Sequence, residues 1–358
     1  MSLSTARSAL PTEHGGRNAL REGSRVESDF SVCLNAFGTA PVVRDAIRQA
    51  RIDEYPDPES RAARHVAARE WAIPIERIAL GAGAAELIDA TCRAFVRAGD
   101  RVVIDAPAFG EYRRAALLCG AVVRDVYQQP DTWSYDAICD VVRRDMPALV
   151  FVASLSSPFG IARDLRELSA IADCCAEVDS ILVLDQAYDA FAERPLGVSL
   201  ASHPAVLLLR SLTKEHALAG VRVAFAIGLP QVIRAIEAVR VPWAASALAE
   251  VAAVATFTPE AKHHVARTVA LLRTEAKRVG SCLDSVGYEI APSSTHYFCI
   301  PVASALRARH LLLDRARMLV RDCSSFGLPS HIRVAARTLA ENDRLIDALD
   351  RLSSLIRS

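Results

Sequence analysis

The chain has 358 residues, 51% of them hydrophobic and 23% charged, which suits one large domain and a smaller one. Lysine plus arginine number 42, as do aspartate plus glutamate, so there is no basic excess of the kind a nucleic-acid partner selects. Nine cysteines with no CxxC spacing suggest neither a metal site nor a disulfide framework, and they suit a reducing cytoplasm.

Residues 1–40 are expected to form an N-terminal arm that joins the smaller domain. Arg7, Glu13, His14, Arg17 and Arg21 interrupt any apolar run that could act as a signal peptide. Val42–Arg51 and Glu59–Trp71 have helical spacing. A strand at Ile78–Leu80 runs into Gly81–Glu86 and then a helix through Val96. Further strands are predicted at Arg101–Asp105, Ala121–Val126, Ala148–Ala153, Ile181–Leu184, Ala205–Leu209 and Val221–Ile227, with helices such as Arg163–Val178 between them. Short apolar strands separated by helices predict an α/β fold, a mostly parallel sheet sandwiched by helices, over residues 41–255.

Trp243–Phe257 is too short to span a bilayer and contains Glu250. It reads as a buried helix within a long helical region from Gln231 to about Val286. Short strands around Ile290, Tyr297 and Leu319, with helices at Ser304–Ala316 and Leu339–Ile356, predict a smaller α+β terminal domain over residues 256–358.

Four segments carry candidate chemistry. Gly81-Ala-Gly-Ala-Ala-Glu86 lies between strand and helix, where Gly83 and Ala84 can offer backbone N–H groups to a phosphate. Glu86 occupies the third glycine position of a dinucleotide fingerprint, which argues against a nicotinamide site. Asp185 follows four apolar residues, and a half-buried carboxylate there needs a cationic partner such as a protonated pyridine nitrogen. Ser211-Leu-Thr-Lys214 follows the strand 205–209, with Arg222 eight residues beyond the lysine. The lysine amine can form an imine, and Ser211, Thr213 and Arg222 can hold a phosphate. Arg333 and Arg337 lie in an apolar strand, where a guanidinium needs an anion. Either a substrate carboxylate or an internal salt bridge would supply it.

Together these segments resemble fold type I of the pyridoxal-phosphate (PLP) enzymes. The closest likeness is to the aminotransferase branch that holds histidinol-phosphate aminotransferase and L-threonine-O-3-phosphate decarboxylase. The resemblance covers the chain from His14 onward. It implies a seven-stranded PLP-transferase domain with PLP as a Schiff base on Lys214, Asp185 on the pyridine nitrogen and Tyr188 near the ring hydroxyl. It implies that Phe109, in Asp105-Ala-Pro-Ala-Phe109, stacks on the ring. It also implies that Tyr55 reaches the cofactor phosphate of a neighbouring subunit, hence a homodimer with shared sites. His14-Gly-Gly16, Phe109-Gly-Glu-Tyr112 and Arg321-Asp-Cys-Ser324 resemble the decarboxylase, which implies His14 near the substrate. Ser157-Pro-Phe-Gly160 stands where the family has Asn-Pro-x-Gly, Ala82 where it has Asn, Gln186 where it has Glu, and His296 where it has Asn.

The expected activity is amino transfer at the α-carbon of a small L-amino acid or amino phosphate, without metal, nucleic acid or membrane. An α-decarboxylase and a catalytically retired PLP-fold binding protein are the alternatives. Transamination and decarboxylation differ only in which α-carbon bond lies parallel to the ring π system, and a tenfold preference needs about 1.4 kcal/mol.

Overall fold

The computed structural model describes residues 14–16, 25–129 and 132–357, so most of the arm expected before residue 25 lies outside the described residues. In chain order the strands are β1 (Ser28–Asp29), β2 (Ile78–Gly81), β3 (Arg101–Ala106), β4 (Val122–Tyr127), β5 (Leu149–Ala153) and β6 (Ile181–Asp185). They continue as β7 (Val206–Ser211), β8 (Ala224–Ile227), β9 (Tyr297–Pro301), β10 (Met318–Leu319), β11 (Arg321–Asp322) and β12 (His331–Ala335). Seven of them form one sheet in the order β2-β8-β7-β6-β5-β3-β4. Its neighbours pair in parallel except β8, which runs antiparallel to both β2 and β7.

The central strands are apolar on both faces because both faces are covered. Leu149, Phe151, Val183 and Leu207 pack against the helices Ala84–Phe95, Gly110–Leu118 and Pro230–Val239. Val150, Leu182 and Leu208 alternate to the other face, against Tyr135–Asp145 and Leu165–Glu177. A second core joins the three-stranded sheet β11-β12-β9 to the C-terminal part of the 27-residue helix Pro259–Ser285. The first strand belongs to this second unit: β1 pairs in parallel with β10.

The helical region expected from Gln231 to about Val286 consists of three helices, Pro230–Val239, Ala247–Thr256 and Pro259–Ser285. Pro242 lacks a backbone donor, and Thr258 caps the last helix with Pro259 at its first position, so one continuous rod is excluded. One expectation is corrected: no strand forms at Ile290, which instead packs on the second core from a loop. No helix among the described residues is long and apolar enough to cross a membrane.

Candidate active site

A cavity of about 900 Å³ opens where the C-terminal ends of β5, β6 and β7 face the small sheet. Loops after parallel strands form such crevices because neighbouring connections leave on opposite faces. A buried ion pair braces two of these loops. Arg163 donates to Asp105 at 2.9 Å and so links the segment bearing Phe109 to the one bearing Ser157.

Asp185 is the last residue of β6, and its side chain ends on the cavity wall. Its Oδ2 accepts a hydrogen bond from the Tyr112 hydroxyl at 2.6 Å, and its Oδ1 accepts one from the Ala187 N–H at 2.9 Å. Burial pushes its carboxyl above the ordinary value, against those two hydrogen bonds and the charge of Lys214.

Lys214 stands three residues past β7. Its loop is tied down by Asn35 N–H donating to the Lys214 carbonyl at 2.9 Å and by Leu218 N–H donating to the Thr213 carbonyl at 3.0 Å. The Lys214 Nζ lies 5.6 Å from the centre of the Tyr188 ring. Burial lowers its pKa, and the Arg333 and Arg222 guanidinium groups act in the same direction. The neutral, nucleophilic amine is thereby favoured.

Ser211, Thr213, Arg222 and the first turn of the helix Ala84–Phe95 form one end of the cavity. That helix has Gly83 at its N-cap and no side-chain cap, so its N–H groups are open to an anion. Gly83 is not itself a lining residue. It matters by lacking a side chain, since a Cβ there would meet the Arg222 Nη2 at 2.7 Å. Glu86 folds back on the loop, its Oε2 accepting from the Ala82 N–H at 3.1 Å while its Oε1 pairs with Arg240 at 2.7 Å.

At the opposite end, Arg333 donates to the Ser157 hydroxyl at 2.7 Å and to the Ser31 carbonyl at 3.0 Å. No aspartate or glutamate forms an ion pair with it among the described residues. Arg321 donates to the Ser325 hydroxyl at 2.6 Å and lies over the Phe326 ring. His14 lines the mouth, with its Nε2 3.0 Å from Glu111 Oε1 and its ring 5.6 Å from Phe109.

Two sequence-predicted residues lie elsewhere. Arg337 is corrected from a substrate contact to a structural ion pair: its Nε is 2.8 Å from Glu341 Oε1, and its Nη1 donates to the Asp29 carbonyl. Its helix-border position supplies an acidic partner four residues on. Tyr55 is 81% exposed and packs in a tilted arrangement on Trp243 outside the cavity, 4.7 Å between centroids. Conversely, Tyr112, Arg321 and Cys33 line the cavity without an assigned role in the sequence reading. Tyr112 follows Phe109 by three positions, one helical turn, and that spacing was the available signal.

The model of the family described as aminotransferase class I and II matches residues 29–349. The chain is 33% identical over 311 residues to histidinol-phosphate aminotransferase 1 of Mesorhizobium japonicum, covering 83% of this chain and 82% of that one. It is 30% identical over 350 residues to an aromatic amino acid aminotransferase of Thermobifida fusca, covering 96% and 95%. The crystal structure of histidinol-phosphate aminotransferase from Sinorhizobium meliloti in complex with pyridoxal-5'-phosphate superimposes with a TM-score of 0.84. It is 25% identical and covers 92% of each chain.

Proposed function

This chain belongs to the class I and II aminotransferases, and from that premise we propose that it moves an amino group at the α-carbon of a small anionic amino compound, with pyridoxal 5'-phosphate held at Lys214. The supporting observation is convergence: a buried carboxylate, a lysine of lowered pKa and an anion cradle share one cavity with Arg333. The residues fit the cofactor chemically. Asp185 is a buried acceptor suited to a cationic ring nitrogen. Ser211, Thr213, Arg222 and the uncapped helix start suit its phosphate, with Gly83 making room for the guanidinium.

When bound, the cofactor supplies an aldehyde carbon that condenses with amines and a cationic ring that accepts electrons from the substrate α-carbon. The chain does the rest. Lys214 Nζ would hold the cofactor through its aldehyde carbon and, when free, could take and return a proton at the substrate α-carbon. Arg333 grips the substrate carboxylate with its planar fork, itself fixed by Ser157 and Ser31. Phe109 and Tyr188 bound the ring site. His14 closes the mouth. Arg321 gives the site a second guanidinium, which favours an amino phosphate or a dicarboxylic amino acid over a neutral one.

The protein acts as a homodimer in this reading. The exposed Tyr55–Trp243 pair is the surface a second copy covers, and Tyr55 reaches across to that copy's phosphate cradle. The nine cysteines are all free thiols, which supports a cytoplasmic setting.

Two measurements test the reading. Borohydride treatment of the loaded enzyme is expected to fix the cofactor on the peptide containing Lys214, and fixation elsewhere removes the proposed site. Incubation with single amino acids is expected to yield a ketoacid. Release of CO₂ with an amine product would instead make it a decarboxylase, and no product from any donor would leave only binding.

A further inference from the structure

Tyr112 is 1% exposed, in the first turn of the helix Gly110–Leu118. Its ring stacks on Phe151 of β5 with 4.8 Å between centroids and 8° between planes. The neighbouring strand β6 ends in Asp185. The stack therefore holds the phenol against the sheet at a fixed distance from that carboxylate, and the hydroxyl donates to Oδ2 at 2.6 Å. The Ala187 N–H occupies Oδ1. Each carboxylate oxygen thus has one fixed donor.

Resting on the reading that Asp185 partners the cofactor ring nitrogen, we infer that Tyr112 is a positioning residue that keeps Asp185 ionised and aimed at that ring. A donated hydrogen bond favours the carboxylate over the acid, whereas burial favours the acid. Tyr112 is the larger of the two hydrogen-bonding influences that oppose burial at Asp185. Its own phenol is raised well above the usual range by burial and by the adjacent Asp185, so it remains a donor at every working pH. Its ring also makes a T-shaped contact with Phe109, 5.7 Å between centroids, so one side chain braces both the acidic partner and an aromatic wall of the site.

The test is Tyr112→Phe, which keeps the ring stack and removes the donor. Cofactor retention on dilution is expected to weaken roughly tenfold, the size of one hydrogen bond to a charged group. Without the donor the Asp185 carboxyl titrates higher, so loss of the visible cofactor absorbance on acidification is expected to begin at a higher pH than in wild type. The melting curve of the cofactor-free protein should be close to wild type. Unchanged affinity and an unchanged acid limb would overturn the inference. So would weaker affinity with an unmoved acid limb, or a collapsed cofactor-free protein, since both indicate a packing role. The reading on which it rests fails separately, if borohydride fixes the cofactor of the wild-type enzyme away from Lys214.

Discussion

Arg321 and Arg333 stand directly opposite one another on the antiparallel strands β11 and β12, and both line the same cavity. Like charges at facing positions repel, and an anion between or beside them removes the cost. Arg333→Ala is expected to raise KM at least tenfold for every amino donor while changing kcat less. Arg333→Lys should not restore it, because an ammonium cannot reproduce the planar fork. Arg321→Ala should penalise donors with a second anionic group selectively. Steady-state kinetics on a neutral and a doubly anionic donor check both, and unchanged constants would remove either arginine from the substrate site.

Lys214→Ala should leave the fold intact, since the side chain contributes no hydrogen bond to the core. Turnover should fall by at least roughly a thousandfold, because nucleophile and proton carrier are lost together. The variant should still take up cofactor through the phosphate cradle, but borohydride should fix none of it. Mass spectrometry of the treated protein decides.

Gly83→Ala should weaken cofactor retention. The residue has φ +86°, a conformation that favours glycine, and the new Cβ would push on Arg222. Strain of about 1–3 kcal/mol is expected. It should appear as a lower melting temperature together with weaker cofactor binding, whereas Gly38→Ala, with nothing near its Cβ, should lower only the former.

Burial pushes the Glu215 carboxyl, beside Lys214, from 4.5 up to about 7. A carboxyl raised in the folded state contributes stability that is complete below 4.5 and lost as pH climbs through about 7. Glu215→Gln should therefore lack this loss and be the more stable form above neutrality, by at most about 3 kcal/mol. Parallel urea titrations across that interval check the sign. Curves that keep a constant separation would show that Glu215 does not titrate there.

Much of the site is legible in sequence because its residues follow strands directly. Asp185 ends β6 and Ser211 ends β7, so an apolar run followed by a polar residue places both at the crevice. The same logic misplaces Arg337. The strand stops at Ala335, and the helix Leu339–Arg351 supplies Glu341 one turn along, which satisfies the guanidinium locally. Tyr112 and Arg321 are hidden for another reason. The phenol's acceptor is 73 positions away, and the arginine acquires its meaning from the residue facing it across a two-residue strand. The segment at Ile290 makes a backbone bond to β9, Ala291 N–H donating to the Cys299 carbonyl at 3.3 Å, but no strand is formed there.

The pairing of β1 with β10 has a consequence for how the enzyme is made. Phe30 N–H donates to the Leu319 carbonyl, Ala335 N–H donates to the Phe30 carbonyl, and Ser31 brackets Arg333. During synthesis the amino-terminal ribbon leaves the ribosome first, yet it has no docking edge until the last tenth of the chain has emerged. Both ends of the chain are thus needed to complete this edge, and removing residues 28–31 would take away β1 and the carbonyl to which Arg333 donates.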